Sequence, residues 1–367
     1  MNTVSNEQRR VFHALDAGRG IAALVVVLYH LPPDFRGTAF GSGYLAVDFF
    51  FALSGFVLAH AYLDRLASGR MSLREFAVAR LVRLYPMYAL ALLVLLGTLA
   101  VMKVAGLPLP WSATALVGKL PFAAVMLPSP TLDWHAYLYP FNIAAWSILF
   151  ELAVNLLFAV VSRPIRRASV RWAFIGVSGA VLIVQFQTQH VLGGGSWDSL
   201  LAGIPRVCFS FFLGLQVHEW LKHRHAAKPI HSAWGLLVLG LLLACLCVPD
   251  PDWLVLPAIF LIFPMLMLVL GSSDVPPGIA GRALRRLGVL SYAVYMLHGP
   301  ILLIWTTWYS APGALAAAPA VAAVPLLVAI VAASWAADRW FDGPVRARLG
   351  TWLRQRKARR AAAAAPS

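Results

Sequence analysis

The stretch GRGIAALVVVLYH carries Arg19 and His30 with ten mostly apolar residues between them. Eleven helical steps leave only about 20° of rotation, so both side chains project from one face, about 16 Å apart along the axis. A guanidinium can grip a phosphate through two parallel hydrogen bonds. An imidazole can take a proton near neutral pH. The spacing suits a long, thin molecule held at one end and reacting at the other. A snorkelling arginine and a satisfied helix-end histidine would explain the same pair, so other polar residues at matched depth have to decide.

Four further segments supply them. The next apolar run, GYLAVDFFFALSGFVLAH, carries Asp48 about one turn from its start, near the depth of His30, where a carboxylate could orient the imidazole. A water-facing carboxylate at a helix start is the alternative. In WSILFE, Ser147 and Glu151 are four apart and share a face, beside Trp146. In SYAVYMLH, Ser291, Tyr295 and His298 fall on one helical stripe. In ARLVRLYP, Arg80 and Arg83 are three apart and can grip one anion, a role compatible with ordinary loop charge. Charged groups at a bilayer centre cost roughly 2.5–3.5 kcal/mol on insertion scales and tend to mark function. His30, Asp48, Glu151 and His298 are therefore the candidates for catalysis. Arg19, Arg80 and Arg83 are the candidates for holding a donor, and Trp146, Ser147, Ser291 and Tyr295 for lining the substrate path.

The elements that must position these residues are membrane helices. Of 367 residues, 60% are hydrophobic and only 12% charged, about half the charged fraction of a soluble domain; the mean hydropathy is +0.75. Ten runs are long enough to cross a bilayer: 15–32, 44–62, 82–102, 142–162, 172–190, 203–221, 232–249, 253–271, 287–308 and 317–339. The segment 112–127 is apolar but short and interrupted by Pro and Lys. If it does not cross, 26 of the 30 basic residues fall on one side and only Arg36, Lys103, Lys119 and Arg206 on the other. The excess of basic residues in cytoplasmic loops then puts both termini in the cytoplasm and leaves 112–127 re-entrant or at the outer interface. The expected fold is an all-α polytopic bundle. A membrane domain over 1–340 precedes a basic cytoplasmic tail, 341–367, lying against anionic headgroups.

The net charge of +15 is explained by those loops, so no nucleic-acid partner is expected. Cys208, Cys245 and Cys247 sit in apolar runs without metal spacing and read as small buried residues; no metal is expected. LGGGSW around Gly193 reads as a flexible outer loop. A transporter is the main rival, since it too needs buried His, Glu and Asp, but neither an internal repeat nor an inverted pair of broken spans is visible.

Taken together, these motifs resemble the acyltransferase 3 family of integral membrane O-acyltransferases. The resemblance runs through Arg19-x10-His30, GYLAVDFFFALSGF, the R-x-x-R of ARLVRLYP, the W-S-x-x-x-E of WSILFE, SYAVYMLH and a late DGPVR, and covers nearly the whole chain. Asp342 in DGPVR stands where the family commonly has Glu. The resemblance implies transfer of an acyl group, usually acetyl, from cytoplasmic acyl-CoA to a hydroxyl of an acceptor at the outer face. It also implies a place in the bacterial inner membrane and an acceptor such as exopolysaccharide, lipopolysaccharide O-antigen or another lipid-linked glycan. Arg19, Arg80 and Arg83 would then receive the CoA phosphates. His30, oriented by Asp48, would meet the thioester, with Glu151 and His298 completing the polar centre.

Overall fold

The computed structural model describes residues 11–131, 133, 135–190, 192–224, 230–249, 252–309 and 319–363. The basic residues of 1–10 and of 225–229, which belong to the 26 above, lie outside them, as do 317–318 of the last apolar run. Each of the ten apolar segments falls on a helix: α1 His13–Tyr29, α2 Ala46–Ala67, α3 Leu73–Val104, α5 Ala145–Val160, α6 Ala168–Gln189, α7 Leu200–Arg224, α8 Ser232–Cys247, α9 Asp252–Ser272, α10 Gly278–Tyr309 and α11 Pro319–Ala337. The segment 112–127 holds a short helix, α4 Ala113–Ala124, and the tail forms α12, Gly343–Ala363. Among the described residues there is no strand, only two isolated bridges.

Among the described residues, seven helices are long and apolar enough to cross a membrane, so the protein is a multi-pass membrane protein. The other three expected crossings, α1, α5 and α8, have 17, 16 and 16 residues, short of the roughly 20 that span the hydrocarbon.

Two parallel helix pairs form the centre of the bundle. In the first, α1 packs on α10, and the backbones meet where two glycines face each other: a Cβ on Gly20 would lie 2.7 Å from Leu287 and one on Gly288 2.5 Å from the carbonyl of Asp16. In the second, α2 packs on α7. A Cβ on Gly55 would collide with the carbonyl of Phe211, and one on Gly214 with that of Ala52. Without a hydrophobic drive between helices in lipid, such close approach is how they gain packing energy. The α2–α7 register is marked by three polar pairs at a constant offset of 158 residues, Asp48–Arg206, His60–His218 and Asp64–Lys222.

Local signals set the remaining elements. Ser72 and Glu75 form a capping box that starts α3, which fixes where Arg80 and Arg83 fall along it. Pro300 in α10 has no N–H for the carbonyl of Met296, and the Asn142 side-chain amide donates to that oxygen instead at 3.0 Å, tying α10 near His298 to the entrance of α5. The expected boundary at residue 340 lies inside a π-helical turn, Asp338–Asp342, that continues into α12. α12 packs back on α3, and Lys357 pairs with Glu75 at 2.6 Å.

Candidate active site

The crossing of α1 and α10 determines what Arg19 can reach. Its Nε donates to the Ser291 hydroxyl at 2.8 Å, and its Nη2 donates to the Gly288 carbonyl and pairs with Asp16, both at 2.9 Å. Further along the same two helices, His30 and His298 face each other with ring centroids 5.0 Å apart. The Nδ1 of His30 lies 2.8 Å from the Val26 carbonyl, and that of His298 2.7 Å from the Tyr295 carbonyl. A carbonyl only accepts, so Nδ1 carries the hydrogen in both rings and a neutral ring keeps its lone pair on Nε2. His298 is buried, whereas His30, at the end of α1, is exposed. Both imidazoles are thus held as bases, one of them accessible.

A cavity of about 160 Å³ lies among α1, α2, α3, α5 and α10. It gathers seven of the eleven candidates: Arg19, Arg80, Arg83, Ser147, Glu151, Ser291 and Tyr295. Arg80 pairs with Glu151 at 2.9 Å, and Ser54 donates to the same carboxylate oxygen at 3.3 Å. The Nε of Arg80 is buried with no partner among the described residues. Arg83 lies over the Tyr292 ring at 5.1 Å and makes no ion pair or hydrogen bond among the described residues. At the far wall the Ser147 and Tyr295 hydroxyls bond at 2.7 Å, and the Tyr295 ring abuts that of His298, 5.9 Å between centroids. The cavity therefore has a cationic end and an end closed by Tyr295 beside the histidine pair.

Two candidates lie elsewhere. Asp48 does not orient His30. Both its oxygens are taken by Arg206, Nε to Oδ1 at 2.9 Å and Nη2 to Oδ2 at 2.7 Å, and the pair is buried. A bidentate, charge-assisted pair outcompetes a neutral imidazole for a buried carboxylate. Arg206 is accordingly no outer-loop charge but a core residue. Trp146 packs on it, ring centroid 5.4 Å from the guanidinium, and not on the cavity. The loop at Gly193, expected to be flexible, is held: the Gly193 carbonyl accepts from Arg206, the Gly194 N–H donates to Ser199, and Leu138 N–H donates to the Gly195 carbonyl.

Sequence reasoning overlooked Arg206 and Tyr292. An arginine within the run 203–221 signals a buried acidic partner, but loop-charge counting absorbed it. Tyr292 lines the cavity and donates to the Leu84 carbonyl at 2.6 Å; widening the SYAVYMLH stripe by one position would have included it. Arg346 of DGPVR pairs with Asp342 at 2.7 Å and with Asp338 at 3.2 Å.

The family model described as an acyltransferase domain matches residues 12–339. The chain belongs to the acyltransferase 3 family. As a member of the acyltransferase 3 family it is an enzyme that needs an acyl donor and an acceptor at a bilayer, which displaces the transporter reading. It is 42% identical over 183 residues to "Protein 2 in picA locus" of Rhizobium radiobacter, covering 47% of this chain and 93% of that one. It is 28% identical over 318 residues to "Acyltransferase MdmB" of Streptomyces mycarofaciens, covering 79% of this chain and 78% of that one. No solved structure matches it.

Proposed function

We propose that the protein carries an acetyl group from cytoplasmic acetyl-CoA to a hydroxyl of an envelope carbohydrate at the outer face of the bacterial inner membrane. The observation that carries this reading is the cationic end of the cavity, where the buried Nε of Arg80 has no partner among the described residues and Arg83 lies over Tyr292 beside it without an ion pair. A buried donor without a partner is costly, and an anion entering here would satisfy it and pair with Arg83. Arg19 lines the same cavity and presents a third guanidinium. At about 160 Å³ the cavity is smaller than the roughly 300–1,000 Å³ of a pocket that encloses a drug-sized ligand. It suits a thin pantetheine arm, with the nucleotide left at the mouth. Ten crossings with both ends in the cytoplasm, the arrangement favoured by the 26-to-4 charge split, would put that mouth on the CoA side, with 1–340 as the catalytic domain and 341–367 as its tail.

In this mechanism the thioester passes Tyr295 to reach the histidine pair. The Nε2 of His30 removes the acceptor hydroxyl proton as its oxygen attacks the thioester carbonyl. The carbon–sulfur bond breaks, and the imidazolium returns the proton to the departing CoA thiolate. Glu151 holds Arg80 in place, and His298 packs against His30 and keeps its ring oriented. Asp48 serves as a structural partner of Arg206.

The test is acetyl-CoA binding to purified protein by isothermal calorimetry, with Arg83→Ala and Arg83→Lys. Loss of at least tenfold in affinity for alanine and partial recovery for lysine is expected, because one charge-assisted phosphate contact is removed. Unchanged affinity in Arg83→Ala would exclude this donor site.

A further inference from the structure

A second cationic surface lies outside the cavity. Arg282, Arg285 and Arg286 are spaced i, i+3, i+4 on α10, and with Val289 at i+7 they form one stripe. Arg339, in the π-helical turn Asp338–Asp342, lines one groove with that stripe. The groove, of about 350 Å³, lies between the start of α10 and the end of α11 and is lined by these four arginines, Val289, Asp338 and Trp335 among others. None of the four guanidiniums makes an ion pair or hydrogen bond among the described residues. The groove's acid, Asp338, is already engaged by Arg346 at 3.2 Å, an arginine that also holds Asp342. The same turn therefore aims its carboxylates at Arg346 and leaves its arginine to the groove.

We propose that this groove binds the headgroup phosphate of an anionic glycerophospholipid. The apolar side of the groove decides between a lipid and a small soluble anion. Val289 is 58% exposed and Trp335 43% exposed, and Trp335 packs edge-on against the exposed Trp340 at 5.4 Å. Paired tryptophans beside arginines match the headgroup layer, where an aromatic ring meets both acyl chain and water. A cationic pocket between helices at that depth attracts anionic headgroups, each arginine adding to the attraction. A soluble phosphate would use the guanidiniums but leave the apolar wall bare. That this end of α10 faces the cytoplasmic leaflet rests on the topology proposed above, but lipid binding in detergent is measured independently of topology and of acyl transfer.

Native mass spectrometry of the full-length protein, titrated with phosphatidylglycerol or with phosphatidylcholine of the same chain length, tests the proposal. The wild type should retain phosphatidylglycerol roughly tenfold more tightly than phosphatidylcholine, and Arg282→Gln/Arg286→Gln/Arg339→Gln should erase the difference. A charge-matched Arg348→Gln/Arg356→Gln/Arg359→Gln variant on α12 should keep it. The corresponding arginine-to-lysine groove variant should retain most of the preference, which separates lost charge from misfolding. An undiminished preference in the glutamine groove variant would overturn the proposal. So would equal loss in the α12 control, which would mean diffuse attraction to a basic chain. Displacement of phosphatidylglycerol from the wild type by equimolar inorganic phosphate or CoA would also overturn it, identifying the site as one for soluble phosphates.

Discussion

His30 and His298 share one arrangement, an Nδ1 tied to a carbonyl of its own helix and an Nε2 left as a base, but only His30 is exposed. His30→Ala should lower acetyl transfer by about 10²–10⁴-fold, the usual worth of a general base, while acetyl-CoA still stabilises the protein against heat. Near-normal transfer would move the role to His298. Asp48 belongs to a different argument. With Arg206 it forms a buried ion pair, and removing one partner leaves an uncompensated charge, a loss of about 3–5 kcal/mol. Asp48→Asn should therefore lower the melting temperature markedly, and Asp48→Leu with Arg206→Met should recover much of it. If Asp48→Asn melted normally and lost only transfer, Asp48 would act on the chemistry after all.

At the level of elements, the site depends on two glycine crossings. Gly214 faces the Ala52 carbonyl so closely that no side chain fits. Gly214→Ala should push α7 away from α2, strain the Asp48–Arg206 pair and lower expression of folded protein, read as the monodisperse fraction in size-exclusion chromatography. Gly240 of α8, with nothing near its Cβ position, should accept alanine without loss. The outer loops are held differently. Asp198 accepts from the Ser196 hydroxyl and meets His135 at 2.7 Å; these contacts, the serine first, hold its carboxyl below the usual range. A depressed carboxyl stabilises the loop above its unfolded value, near 3.9, and that support is lost as pH falls through the lower folded value. Trp197, whose indole N–H donates to the Ser129 carbonyl, should report this as a fluorescence change below about pH 4 that Asp198→Asn abolishes.

For the whole molecule, the question is which end of each helix meets the cytoplasm. Reporter fusions at Ser68, Ala168 and Ala280 should read inside and one at Gly194 outside, following the distribution of basic residues. A fusion at Gly194 reading inside would reverse the bundle and separate the cavity mouth from cytosolic CoA.

The apolar runs and the family motifs are properties of neighbouring residues, and they were legible in the chain alone. Helical spacing also put Arg80 with Arg83, Ser147 with Glu151, and Ser291 with Tyr295 on common faces, but their meeting with Arg19 in one cavity came from the packing of α1, α3, α5 and α10. Which charges pair was decided only by packing. Asp48 and His30 sit on consecutive helices at similar depth, yet α7 brings Arg206 to Asp48 from 158 positions away, and α10 brings His298 to His30. Depth along a helix is a local quantity, counted at 1.5 Å per residue. Which helix faces which depends on where glycines let backbones approach, and no local spacing encodes that.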